Sequence, residues 1–177
     1  MLRFIFLSLA LVLSASNAHA ATPAESALSR LPHVSFPAPH RVASGRLQAA
    51  DLPALKRAGI RQVIDLSDDA ETPDFDEAAV MRTAGIGYHN LPIHGAADLT
   101  RANADRFDDM LGDAGAQPTL VHCASSNRVG ALIALRAAWL EGRSVDAALE
   151  EGRRWGLKGL EPAVRERLQA RAGGKSR

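Results

Sequence analysis

PTLVHCASSNRVGALIAL, residues 118–135, is the stretch whose reading decides the fold. A short β-type run, Thr119 to His122, ends at the only cysteine of the chain, Cys123. Four small or polar residues follow, Ala124, Ser125, Ser126 and Asn127, and Arg128 then opens an apolar pattern with helical spacing. Strand, tight turn and helix in that order are the unit of an α/β sheet, whose ligands sit at the carboxyl ends of the strands. A lone cysteine can simply fill a core. An arginine five residues later, in the first turn of the following helix, points instead to an anion site.

Working outward, the same alternation recurs. RVASG (41–45) reads as a strand and AADLPALKRAG (49–59) as a helix closed by Gly59. RQVIDL (61–66) is a β-branched strand, DFDEAAVMRTAG (74–85) a helix ending at Gly85, and GYHNLPI (87–93) a third strand. TRANADRFDDMLGDAG (100–115) is a helix with Thr100 in the N-cap position, before the strand QPTLVHC. Beyond Arg128 the chain is helical, with Ser144 as a further N-cap. Trp139, Leu140, Leu149 and Trp155 fall on apolar helical faces and read as packing residues. The pattern predicts a single α/β domain, with a central, mostly parallel sheet of four to five strands and helices on both faces.

The boundaries follow from composition. Residues 1–20 carry Arg3, an apolar core from Phe4 to Leu13 and the sequence Ala18-His19-Ala20. That is a secretory signal peptide with its cleavage site, too short in its apolar run to span a bilayer as a mature helix. Export to the periplasm or beyond is the expectation. Residues 21–40, with Pro23, Pro32, Pro37 and Pro39, show no apolar period and read as an extended N-terminal segment. The domain is expected at 41–172 and a disordered basic tail at 173–177.

The chain of 177 residues is 46% apolar and 23% charged, enough to bury one core. Its net charge of +1, with 21 basic against 20 acidic side chains, argues against a general nucleic-acid binder. Cleavage after Ala20 removes one basic residue and leaves the two signs equal. A single cysteine cannot form an internal disulfide, so in an exported protein it is either intermolecular or reactive.

The turn after Cys123 has the chemistry for an oxyanion. Residues 124–127 can curl so that their N–H groups point inward, and the helix N-terminus adds partial positive charge. The same donors favour the thiolate over the thiol. Arg128 offers a planar fork to two oxygens of a phosphate-like group. Candidate site residues are therefore Cys123 as nucleophile and Ala124, Ser125, Ser126, Asn127 and Arg128 as the cradle. His33, His40, His89, His94 and His122 form no close pair at ligand spacing, so no metal and no cofactor are expected.

These residues resemble a known family. VHC followed by R-x-G at a helix start, preceded by SGRL (44–47), LPALKRAGIRQVIDL (52–66) and AGIGYHNLPI (84–93), is similar to the cysteine-dependent protein-tyrosine and dual-specificity phosphatase superfamily. More narrowly, it resembles the bacterial phosphatase-like domain of beta-lactamase-hydrolase-like proteins. The likeness covers nearly all of residues 41–170 and implies hydrolysis of a phosphomonoester through a phosphocysteine intermediate. It implies Cys123 as nucleophile, Arg128 as clamp and an aspartate general acid on the loop LPIHGAADLT (91–100), where Asp98 has the right residue type and His94 is a second candidate. In that family the histidine of the His-Cys pair packs under the loop and hydrogen-bonds backbone, which gives His122 a supporting role. Phosphorylated or other oxyanionic substrates are the implied partners, with no nucleic acid and no stable membrane insertion after cleavage.

Three departures separate the chain from the family pattern. Four residues, not five, separate Cys123 from Arg128, no glycine lies between them, and Val129 stands where Ser or Thr is usual. The shorter loop loses roughly 3.5 Å of contour and one N–H donor. Four residues is also the spacing of rhodanese-like sulfurtransferases, the alternative enzyme. Valine cannot donate a hydrogen bond to a departing thiolate, so a catalytically degenerate oxyanion-binding module is the third reading. Ser125 or Ser126 would have to supply the hydroxyl, and a loop residue with positive φ would be strained without glycine.

Overall fold

A computed structural model describes residues 21–174. Among the described residues it has five strands and seven α-helices in one α/β domain, as the alternation predicts. The strands are β1 (Ser35–Ala38), β2 (Arg41–Ser44), β3 (Gln62–Asp65), β4 (Gly87–Asn90) and β5 (Thr119–His122). They lie in the order β1-β2-β5-β3-β4. β5 is central, parallel to both β2 and β3, and β4 is parallel to β3. Only β1, at the edge, runs antiparallel, against β2. His122 is paired with Ser44 on one side and Asp65 on the other, so three strands reach their carboxyl ends together beneath Cys123.

The period of two in each strand divides the core. Val42, Val63 and Leu120 face one side, with Leu28 of α1 (Pro23–Leu28), Leu55 of α2 (Leu52–Arg57) and Met81 of α3 (Glu77–Ala84). Ala43, Ile64, Val121 and Cys123 face the other. There they meet Phe107 of α4 (Arg101–Ala114), Leu132 and Leu135 of α5 (Asn127–Trp139), Leu149 of α6 (Val145–Arg154) and Val164 of α7 (Glu161–Gly174). Burying a side chain such as Leu132 or Leu135 is worth roughly 1.5–3 kcal/mol, and α5 buries eight residues, so it is the most deeply seated helix. Trp155 and Leu149 join this cluster as expected. Thr100 and Ser144 cap α4 and α6, and Gly59 and Gly85 close α2 and α3 at left-handed φ.

The N-terminal segment differs from its expectation. Residues 21–40 are not extended throughout: they contain α1 and β1. Thr22 and Glu25 form a reciprocal capping box with Pro23 at the first helical position, a start signal present in the sequence TPAE. Leu28 is fully buried and Leu31 nearly so, which docks the segment onto the sheet. The expected signal peptide, residues 1–20, lies outside the described residues. At the other end α7 continues to Gly174, past the start expected for the tail at 173, and residues 175–177 lie outside the described residues. Among the described residues no helix is long and apolar enough to cross a membrane.

Gly130, the glycine of R-x-G, has a packing reason. A Cβ there would lie 2.2 Å from the backbone nitrogen of Leu157 and 2.5 Å from the carbonyl oxygen of Gly152. Only a residue without a side chain lets α5 approach the end of α6 this closely. The helix that carries Arg128 is thereby fixed against α6.

Candidate active site

The loop from Cys123 to Ser126 links β5 to α5 and is tied down on both sides. Ser125 bridges Gly45 in antiparallel fashion. The Arg46 N–H donates to the Ala124 carbonyl at 3.4 Å, and Gly45 N–H donates to that of Pro32 at 2.6 Å. Ser126 takes the left-handed conformation at φ 61°, so the strain expected of a glycine-free loop is present and falls on this residue. Its hydroxyl donates to the His33 carbonyl at 3.0 Å, which holds the turn. Gly156, itself at φ 97°, leaves room for it: a Cβ on Gly156 would meet the Ser126 Cβ at 2.4 Å.

Arg128 leaves the first turn of α5 and is gripped from three directions. Its Nη1 donates to the Leu66 carbonyl at 3.2 Å, to the Ile93 carbonyl at 2.7 Å and to Glu71 Oε1 at 2.7 Å, while Nη2 donates to Glu71 Oε2 at 2.7 Å. None of these bonds uses the Nε edge. The Glu71 hydrogen bonds, with a smaller contribution from the nearby Cys123, hold the guanidinium pKa above its ordinary value. Glu71 is thus a site residue that the sequence reading did not single out. Its carboxyl is held at about 2 by the hydrogen bonds from Arg128, against the opposing effect of burial, and Arg46 adds a weaker ion pair at 3.6 Å. Sequence spacing offered no direct signal for a contact 57 residues apart; the hint was a lone Glu in the acidic turn after β3.

A cavity of about 620 Å³ opens over the loop, and Arg128, Ala124, Ser125, Asn127, Glu71 and His94 are among its walls. Cys123 is fully buried, and the residue after it, Ala124, is the first of the loop to line the cavity. The cradle residues fall into two groups. Ala124, Ser125, Asn127 and Arg128 face the cavity, whereas Ser126 is turned away toward His33. Asn127 also works as a strut, its Oδ1 accepting from the backbone of Lys158 at 2.8 Å and Leu160 at 3.2 Å.

Asp98 stands apart from this cavity's lining. Its Oδ2 accepts from the His94 N–H at 2.8 Å and its carbonyl accepts from Asn103 Nδ2, so it shapes the loop before α4. His94 and Asp68 both line the cavity, with His94 Nε2 at 3.8 Å from Asp68 Oδ2. Asp68 comes from the turn after β3, two residues beyond Leu66, and was not among the expected residues.

His122 differs from its expected role. Its Nε2 does not bond backbone; it lies 2.9 Å from Glu77 Oε1 and 3.5 Å from Asp65 Oδ1, on the opposite side of β5 from Cys123. Strand alternation is the reason, because it turns His122 toward α3, whose first residue is Glu77. Burial alone would push the imidazole down, and the Glu77 hydrogen bond with the charges of Asp65 and Glu77 reverses this and holds it above its ordinary value. Val129 is fully buried in the core of α5 and offers no group to the cavity. Ser125 is left as the loop hydroxyl that faces it.

No family model matches the sequence, and no curated protein matches it. Solved structures do. A candidate phosphatase from Neisseria meningitidis Z2491 is 28% identical with a TM-score of 0.65, over 78% of this chain and 97% of that one. A candidate phosphatase of the DUF442 group from Shewanella putrefaciens CN-32 is 19% identical with a TM-score of 0.64, over 83% and 97%. P. aeruginosa TpbA, in a cysteine-to-serine form bound to phosphotyrosine, is 20% identical with a TM-score of 0.59, over 92% and 99%. The fold is that of the cysteine-dependent protein-tyrosine and dual-specificity phosphatase superfamily.

Proposed function

We propose that this chain is an exported cysteine-dependent phosphatase that acts on a phosphomonoester through a phosphocysteine intermediate. The observation that carries this reading is Arg128. Its Nη1 and Nη2 are anchored by Glu71, Leu66 and Ile93, which leaves the Nε edge to face an anion on the Cys123 loop. A guanidinium held rigidly on one edge is pre-oriented on the other, and orientation of this kind lowers the barrier to phosphoryl transfer.

The steps follow from these positions. The Cys123 thiolate attacks phosphorus, the bond to the leaving oxygen breaks, and that oxygen takes a proton from an acid in the cavity wall. Water then attacks phosphorus, the S–P bond breaks, and the proton lost by the water returns to the acid. Asp68 and His94, which share the cavity with Arg128, are the source of that proton in this reading, with Asp98 fixing the His94 backbone. Ser125 is the hydroxyl placed to assist the departing thiolate in place of Val129. The phosphotyrosine held by TpbA supports an aryl phosphate as substrate. Export rests on the leader pattern of residues 1–20.

The test is turnover of p-nitrophenyl phosphate by the chain from residue 21 onward. Vanadate-sensitive hydrolysis is expected, with none in Cys123→Ser. Asp68→Asn should slow poor leaving groups more than nitrophenol, and Asp98→Asn should act evenly on both. Sulfur transfer from thiosulfate to cyanide without phosphate release would establish the sulfurtransferase reading instead. Silence in both assays with retained oxyanion binding would establish the degenerate module.

A further inference from the structure

We propose that Asp65, Glu77 and His122 form a binding site for a divalent transition-metal cation, reached through an acidic cavity beside α3. The three side chains come from the end of β3, the start of α3 and the end of β5. One ligand atom of each residue lies within 4.8 Å of those of the other two. Nε2 is 2.9 Å from Oε1 and 3.5 Å from Oδ1. A cation with bonds of about 2.1 Å has ligand-to-ligand edges of about 3.0 Å at right angles and about 3.4 Å at tetrahedral angles. The two separations from His122 Nε2 match edges of that kind.

Hydrogen bonding alone leaves this group unbalanced. Asp65 and Glu77 are each 5% exposed and His122 is 1% exposed. Even with the imidazole protonated, two buried carboxylates face one positive charge, whereas buried charges are ordinarily paired or coordinate metals. The outer contacts are those of a ligand set held in place. The Ser67 N–H donates to Asp65 Oδ1 at 2.7 Å and the Tyr88 hydroxyl donates to Oδ2 at 3.0 Å, which fixes the carboxylate plane.

An independent feature supplies the entry path. A second cavity, of about 420 Å³, is lined by Asp65 and Glu77 together with Asp69, Asp76, Tyr88 and Asn90, and no Lys or Arg is among its lining residues. Four carboxylates with no cation opposite them concentrate positive ions at the mouth of the cluster. One imidazole and two carboxylates suit Zn²⁺ or Mn²⁺, while Mg²⁺ avoids nitrogen ligands. Binding displaces the proton between Nε2 and Glu77, which passes to solvent through the same cavity. The ion would tie β3, α3 and β5 together under the Cys123 loop. This inference does not depend on what the loop catalyses.

The test uses the chain from residue 21 with Cys123→Ser, so that the thiol cannot bind metal. Titration with Zn²⁺ should show one site per chain at micromolar concentration, release of a proton and a melting temperature that rises with Zn²⁺. Asp65→Asn and Glu77→Gln, which keep size and shape, should each weaken that site at least tenfold. Crystals grown with Zn²⁺ locate the ion without any variant: an anomalous peak bonded to Asp65, Glu77 and His122 is expected. Absence of saturable binding below millimolar Zn²⁺, binding unchanged in both variants, or a peak only elsewhere would overturn the proposal.

Discussion

One peptide bond separates His122 from Cys123, and the two side chains enter different environments: a guanidinium is available on one side and, among charged groups, only carboxylates on the other. Cys123 drops into the α4–α7 core beside a cavity whose walls hold the Arg128 guanidinium, paired with Glu71, together with Asp68 and His94. His122 turns to the α1–α3 side, toward Asp65, Glu77 and a cavity lined by four carboxylates. The backbone pleat sends the two side chains to opposite faces of the sheet. The partners then make the contrast: Arg128 is delivered by the helix that follows β5, and Glu77 by the helix that follows β3. On the proposed reading, one strand end of a parallel sheet serves an oxyanion cradle on one face and a cation-attracting cavity on the other.

The contrast breaks most severely at Arg128. Arg128→Lys keeps the charge but loses the fork and its anchors, so kcat/KM on aryl phosphate should fall by roughly 10²–10³-fold. Circular dichroism should show the fold retained. Equal activity in the two proteins would remove Arg128 from the anion site.

Glu71 sharpens the same contrast with a smaller effect. Glu71→Gln keeps one acceptor and frees the guanidinium on its anchored edge, so KM should rise by about tenfold while kcat changes less. The acid side gives a second readout. The folded carboxyl is lowered from 4.5 to about 2, chiefly by the Arg128 hydrogen bonds. A depressed carboxyl contributes stability above its unfolded value and loses it as pH falls through the folded one. The stability gap between wild type and Glu71→Gln should therefore be constant near neutrality and close between pH 4.5 and 2 in denaturant melts. A gap unchanged down to pH 2 would mean that the pair does not hold Arg128 in solution.

The sheet and its helices were legible because their signals are local. Gly59 and Gly85 mark helix ends, Thr100 and Ser144 mark starts, and β-branched runs mark strands. The α1 capping box was also local, in TPAE, but the prolines around it suggested extended chain. In the site, Cys123, Arg128 and the cradle could be named because strand, loop and helix are contiguous. Glu71 and Asp68 could not, since they reach Arg128 and His94 only after β3 lies beside β5. Val129 carries no hydroxyl, and its full burial shows it serving the core beneath α5. The carboxylate partners of His122 lie 45 and 57 residues away in sequence, beyond any spacing rule.

The phosphocysteine itself is the most direct test of the central claim. The chain from residue 21 is mixed with p-nitrophenyl phosphate, quenched in acid within milliseconds to seconds, digested and read by mass spectrometry. The account predicts one added phosphoryl group on the peptide containing Cys123, absent in Cys123→Ser, reduced in Arg128→Lys and lost when water completes the second step. Turnover of the phosphate ester with no such adduct at any time, or with an adduct on another residue, would contradict it.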